Sequence, residues 1–161
     1  MKKSILWMFA AIMLVCGLAI TTSCADKEDG ESNSEWKLRN SISGTGWSTY
    51  SVKLDDGTWN SEKKPLLFDI KFSASNKNFK CDKVYTNEEG DADETTREIY
   101  KYSDETAYTI KKNVIEGTVG ADKTPYFKME VFGEVSSELH CKITFYKDNK
   151  TFEIKMWRAV V

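Results

Sequence analysis

From Gly44 onward, apolar and polar positions alternate with a period of two. Leu66, Phe68, Ile70 and Phe72 fall on one face of an extended segment, with Asp69 and Lys71 on the other. Phe127, Met129 and Val131 alternate with Lys128 and Glu130. Leu139, Cys141, Ile143 and Phe145 alternate with His140, Lys142 and Thr144, and Phe152, Ile154 and Met156 with Thr151, Glu153 and Lys155. Each pattern predicts a strand with one buried and one wet face. Weaker candidates cover 47–54, 78–85, 97–102, 106–111 and 113–119. Asp55-Asp56-Gly57, Glu89-Gly90-Asp91, Lys112-Asn113, Gly120-Ala121-Asp122 and Lys147-Asp148-Asn149-Lys150 carry the residues tight reversals favour. Pro125 suits the start of a strand, where its missing N–H costs little. No segment after residue 24 shows a helical stripe. The expectation is an all-β chain, an antiparallel meander of about eight strands that closes into a barrel or folds as an open β-sandwich.

The first residues break this pattern. Lys2 and Lys3 precede an apolar run from Ile5 to Ile20, followed by Thr21-Thr22-Ser23-Cys24. A basic start, an apolar stretch and small residues before a cleavage point make a secretory signal. The run is short for a membrane-spanning helix, which needs about 20 residues. A cysteine directly after Ser23 resembles the lipoprotein form of such signals, which implies cleavage before Cys24 and acylation there. Cys16, behind bulky Val15 and inside the apolar run, is a poorer acceptor. The chain then divides into a signal peptide at 1–23, an acylated polar tether at 24–40 and a folded domain at 41–161. Ala25-Asp26-Lys27-Glu28-Asp29 resembles the acidic tag that exports lipoproteins to the cell surface in gut-dwelling Gram-negative anaerobes; a tether that is merely polar is the alternative. The expected location is the outer membrane, lipid-anchored and facing the cell surface, with the periplasmic face as the alternative.

Charge and cysteines narrow the partners. Removing residues 1–23 from the 161 leaves 138, one domain with enough chain for a sizeable core. Losing Lys2 and Lys3 takes the 23 basic residues to 21 against 25 acidic ones, a formal charge of −4. No basic stripe stands out, so nucleic acid is not an expected partner. Cys81 and Cys141 remain after processing. A disulfide between them would close a loop of roughly 60 residues, worth about 4 kcal/mol in the chain-entropy model. Two separate buried thiols are the equal alternative.

Candidate chemistry is sparse. His140 is the single histidine and falls on the polar face of its strand. Adjacent strand residues point to opposite faces, so Cys141 cannot serve it as a dyad partner. The acidic run Glu88 to Glu94 lacks the spacing of a calcium loop and reads as a solvated hairpin loop. We therefore expect no enzyme, no cofactor and no metal. Tyr85, Tyr100, Tyr102, Tyr108, Tyr126, Tyr146, Trp59 and Trp157 are too many for one small core. Some must face outward, either to stack on a partner or to pair across strands.

Gly46-Trp47, Leu66-Leu67-Phe68, Tyr126-Phe127-Lys128-Met129 and Phe152 to Arg158, taken with the lipoprotein signal, resemble the lipocalin-like (calycin-like) outer-membrane lipoproteins of the same gut bacteria. The resemblance spans about residues 42–158. It implies a calycin barrel in which Arg158, at the end of the last strand, covers Trp47 at the start of the first. Arg158 shares parity with Met156 and is expected to point inward. Trp47 shares parity with Thr49, Ser51 and Lys53 rather than with Tyr50, Val52 and Leu54, so a bend after Trp47 is required. The resemblance also implies a binding module holding a small apolar ligand, lined by Phe68, Ile70, Phe72, Phe127, Met129, Val131, Ile143, Phe145, Ile154 and Met156. The rival expectation is a solid core with an outer face that binds a glycan or a protein.

Overall fold

The computed structural model of the protein describes residues 26–159. The signal peptide, Cys24 and the final two valines lie outside the described residues. Within them, α1 (Asn33–Ile42) is followed by β1 (Gly46–Lys53), β2 (Trp59–Asn60), β3 (Leu66–Phe72), β4 (Phe79–Tyr85), β5 (Glu98–Tyr100), β6 (Ala107–Lys111), β7 (Val114–Val119), β8 (Thr124–Phe132), β9 (Glu138–Phe145) and β10 (Lys150–Ala159).

All ladders are antiparallel, and the strand order is β5-β4-β3-β1-β10-β9-β8-β7-β6, with β2 beside β1. This is an up-and-down meander curled on itself, as the alternation predicted. β1 lies between β3 and the last strand, β10. The ladder is open between the short strand β5 and β6. At that seam a side chain substitutes for a backbone partner: Thr106 Oγ1 accepts from the Phe79 N–H at 3.0 Å and donates to the Phe79 carbonyl at 2.6 Å. The Tyr108 N–H adds a bond to the Lys77 carbonyl at 2.8 Å. Backbone groups that would otherwise lack partners are thereby satisfied.

The expected bend in the first strand is present. The β1–β10 register shifts between Thr49 and Ser51, a bulge that inserts an extra residue. Trp47 and Thr49 before it and Val52 after it can then all face inward, and all are buried. Tyr50, expected on the apolar face, is turned outward by the same bulge and stacks on Trp157.

The tether expectation needs correction, and so does the statement that no helix follows residue 24. Residues 33–42 form α1, and Leu38, Arg39 and Ile42 are buried on one side of it. Ser32 caps the helix: its side chain accepts from the Glu35 N–H at 3.2 Å, and Glu35 accepts from the Ser32 N–H at 2.8 Å. This reciprocal capping box satisfies two of the amide groups that a helix start leaves unpaired. Leu38 and Ile42, one turn apart, are the only aliphatic pair on this face. They suffice because the helix covers one end of the sheet, where Trp47 donates its indole N–H to the Ile42 carbonyl at 3.3 Å.

The core is one cluster of rings and aliphatic side chains. Phe68 packs edge-on against Phe127 and Phe145 with centroids 6.2 and 5.4 Å apart, and Phe79 against Phe127 at 5.2 Å. Gly117 is required by this packing, since a Cβ there would lie 2.3 Å from the Phe127 ring.

Candidate functional site

Two features stand apart from the core: an aromatic stripe on the outer face of the sheet and an ion pair enclosed by rings in its interior.

The stripe is built across β1, β2, β10, β9 and β8 by their outward positions. Register places Trp157 opposite Glu138, Lys155 opposite His140, and Phe132 opposite His140. The Trp157 ring lies 4.5 Å from that of Tyr50, whose hydroxyl donates to Glu138. One two-residue step along β10, about 7 Å, His140 is flanked by Phe132 at 4.9 Å and Trp59 at 5.4 Å. Trp59 reaches this face from the β1–β2 hairpin. Lys155 sits 4.7 Å and Lys53 5.9 Å from its ring. Glu153 accepts from Lys53 at 3.0 Å and meets His140 Nε2 at 3.0 Å. Trp157 is 60 % exposed, and Phe132 and Trp59 are also open to solvent. Three accessible rings, with two acids and two lysines along their border, form a surface on which a partner can stack and hydrogen-bond. The sequence had placed Trp157 and His140 outward by parity. It did not show that Tyr50 and Trp59 join them, because the bulge and the hairpin decide that, whereas Phe132 shares the outward parity of Lys128 and Glu130.

The ion pair lies at the end of the sheet opposite α1. Lys83, on β4, is fully buried. Its Nζ is 3.0 Å from Glu98 Oε2, on β5. The rings of Phe145, Tyr85 and Tyr126 surround the ammonium at 4.4, 4.9 and 5.4 Å. Glu98 also accepts from the Tyr126 hydroxyl at 3.0 Å and from Lys147 at 2.9 Å. Burial pushes the Glu98 carboxyl up, but the bonds from Lys147 and Lys83 outweigh it and hold the group below its usual value. Burial raises Tyr126 and Tyr85 well above the ordinary phenol range, with the neighbouring Glu98 and Asp148 carboxylates adding to the effect. Sequence reading missed Lys83. Its signal was present: Phe79, Cys81, Lys83 and Tyr85 share one strand face, so a lysine occupies an apolar position.

No family model matches the chain, and neither a curated protein nor a solved structure matches it.

The structure brings Trp47 and Arg158 together across β1 and β10, with the guanidinium carbon 5.5 Å from the indole centroid. Arg158 keeps the face its parity with Met156 requires, opposite buried Trp47, but it is not buried there. The residue is exposed, because β10 at this point has run past the core, and the side chain lies along the rim. There it donates to the Ser41 carbonyl at 3.2 Å, one of the carbonyls that the end of α1 leaves unpaired.

The ten expected lining residues are all buried. They pack against one another as core. A cleft of about 760 Å³ beside α1 touches Val131, and another of about 620 Å³ outside β3 and β4 touches Ile70. Cys81 and Cys141 are separate buried thiols with no bridge. Burial raises both thiols well above the usual range. Asn87 to Asp93 form a surface loop, in which the Asn87 side chain accepts from the Glu89 and Asp91 amides. Among the described residues, no group of three or more His, Cys, Asp or Glu is placed to hold a metal, and no helix is long and apolar enough to cross a membrane.

Proposed function

We propose that this is a lipid-anchored binding module of the cell envelope, lipocalin-like in build and without catalysis, that recognises a carbohydrate chain through its outer aromatic stripe. The observation that carries this reading is the exposed stripe of Trp157, Trp59 and Phe132, with Glu138, Glu153, Lys53 and Lys155 along its border. Ring faces take up the C–H surfaces of sugars, and the acids and lysines supply acceptors and donors for hydroxyls. Close packing of the ten interior residues favours recognition on the outside over an apolar ligand within. Support for the lipocalin-like build comes from the meander order and the Trp47–Arg158 contact. Support for anchoring and outer-membrane display comes from the Cys24 signal and the acidic residues after it.

The test is binding of the intact chain to an immobilised panel of bacterial and host polysaccharides, compared with Trp157→Ala and Trp59→Ala. Removing an aromatic anchor costs about 2 kcal/mol or more of binding, roughly thirtyfold. Both variants should lose binding while keeping the thermal midpoint within about 3 °C. Unchanged binding in both variants overturns the reading. So does native mass spectrometry that finds a small apolar molecule retained in the interior.

A further inference from the structure

The segment that precedes the helix is clamped to the domain rather than free. Arg39 is buried on α1, and its guanidinium holds both carboxylate oxygens of Glu31 at 2.8 Å. The same group donates to the Asp26 carbonyl at 2.8 Å. Glu28 pairs with Lys77 in the turn between β3 and β4. A forked, two-bond contact fixes orientation as well as distance. The Arg39 bonds also draw the Glu31 carboxyl down to about 2, so the clamp is charged at every ordinary pH.

Asp26 is therefore held at the helical end of the sheet. Cleavage before Cys24 leaves only Ala25 between the acylated residue and Asp26. Two trans peptide units span at most about 7 Å. A free seventeen-residue tether would instead wander over roughly 20 Å and let the domain turn in any direction.

We propose that the helical end of this domain is a membrane-facing surface, seated on phospholipid headgroups in one fixed orientation. The proposal rests on acylation at Cys24. It commits the cleft beside α1, with Trp36 and Lys37 in its lining, to the bilayer side. Tryptophan and lysine both favour the headgroup level. The opposite end, with the β7–β8 and β9–β10 turns, then stands roughly 30 Å from the lipid, since ten residues of strand rise about 3.3 Å each.

The experiment uses the full chain, acylated in cells and reconstituted into phosphatidylcholine vesicles that carry a nitroxide on the headgroup. A fluorophore is attached at Ser75→Cys, in the turn between β3 and β4 beside the clamp, or at Ala121→Cys, in the turn between β7 and β8. Both positions are exposed, whereas Cys81 and Cys141 are buried. The label at 75 should lose most of its emission and the label at 121 almost none. A flexible Gly-Ser linker inserted between Ala25 and Asp26, which touches no part of the fold, should abolish the difference. Equal quenching at the two sites without the linker overturns the orientation. Absence of palmitate from the purified chain overturns the anchoring beneath it, and labelling reports that separately.

Discussion

Glu98→Ala should be among the most damaging single changes outside the apolar core. The substitution leaves Lys83 where its side chain is 1 % exposed, without its direct carboxylate partner and with the Tyr85 hydroxyl at 3.4 Å as its remaining hydrogen-bond acceptor. Removing one partner of a buried ion pair costs about 3–5 kcal/mol, because the remaining charge is stranded. The three rings around the ammonium are present in both proteins and do not enter the difference. Lys83→Met is the opposite case. It removes the charge and keeps the length of the side chain, while Glu98 retains Lys147 and Tyr126. Replacing the buried charge with an apolar side chain of similar volume should cost under about 1 kcal/mol or stabilise the fold. The double variant Lys83→Met/Glu98→Ala should recover about 2–3 kcal/mol of the Glu98→Ala loss, the coupling expected of residues in direct contact. Urea unfolding followed by tryptophan fluorescence measures all three. Equal losses in the two single variants, or a coupling below about 0.5 kcal/mol, would show that Lys83 is solvated and the argument wrong. The pH dependence follows the same pair. Glu98 is depressed in the folded state, so its contribution is fully present above the ordinary carboxylate range and is lost as pH falls through the lowered value.

Four further outcomes are expected. Arg158→Ala should cost about 1 kcal/mol, from one carbonyl bond and an exposed cation–ring contact, and Arg158→Lys should recover part of it; a loss above about 3 kcal/mol in chemical denaturation would restore the buried reading. Gly117→Ala should destabilise by about 1–3 kcal/mol because its Cβ meets the Phe127 ring, and Phe127→Leu in the same chain should relieve much of that; a neutral Gly117→Ala midpoint in urea contradicts this. The folded protein should be inert to a thiol-modifying disulfide reagent at pH 8 and take up two equivalents at Cys81 and Cys141 once unfolded, with reductant leaving the thermal midpoint unchanged; modification in the native state would count against the packing. Glu31 titrates near 2 in the fold, so its contribution is present above about 4.5 and fades as pH falls toward 2; release of residues 26–32 at pH 4, read by hydrogen exchange, would contradict the clamp.

The strands were legible because period-two alternation survives wherever one face of a sheet is wet. Phe68, Met129, Ile143 and Ile154 announce their faces, and even the weak candidates at 106–111 and 113–119 became β6 and β7. Helix α1 was not legible from hydrophobicity, since its covered face is Leu38, Arg39 and Ile42, and a buried arginine reads as surface. Its capping box, Ser32 with Glu35, was the available signal. Lys83 was lost for the same reason as Arg39: charge was equated with exposure, although strand parity said otherwise. Arg158 shows the limit of parity itself. An inward position has an interior to enter only while the strand still runs alongside the core. The Tyr50 and Trp59 parts of the stripe depended on the Thr49–Ser51 bulge and on the return of the β1–β2 hairpin, and neither is encoded in local alternation.

The position of β1 between β3 and β10 has a consequence for the order of assembly. Trp47 pairs with Arg158 and Ile70 at once, so the strand made first is completed by the strand made last. Contacts this distant in sequence slow folding, because the intervening chain must be ordered before they form. As the chain is synthesised, Trp47 and Val52 lack one flank until β10 exists. A protein lacking residues 150–161 should accordingly fail to fold as a unit, rather than fold with one strand missing. Until the final residues arrive, the chain stays open and unable to lock.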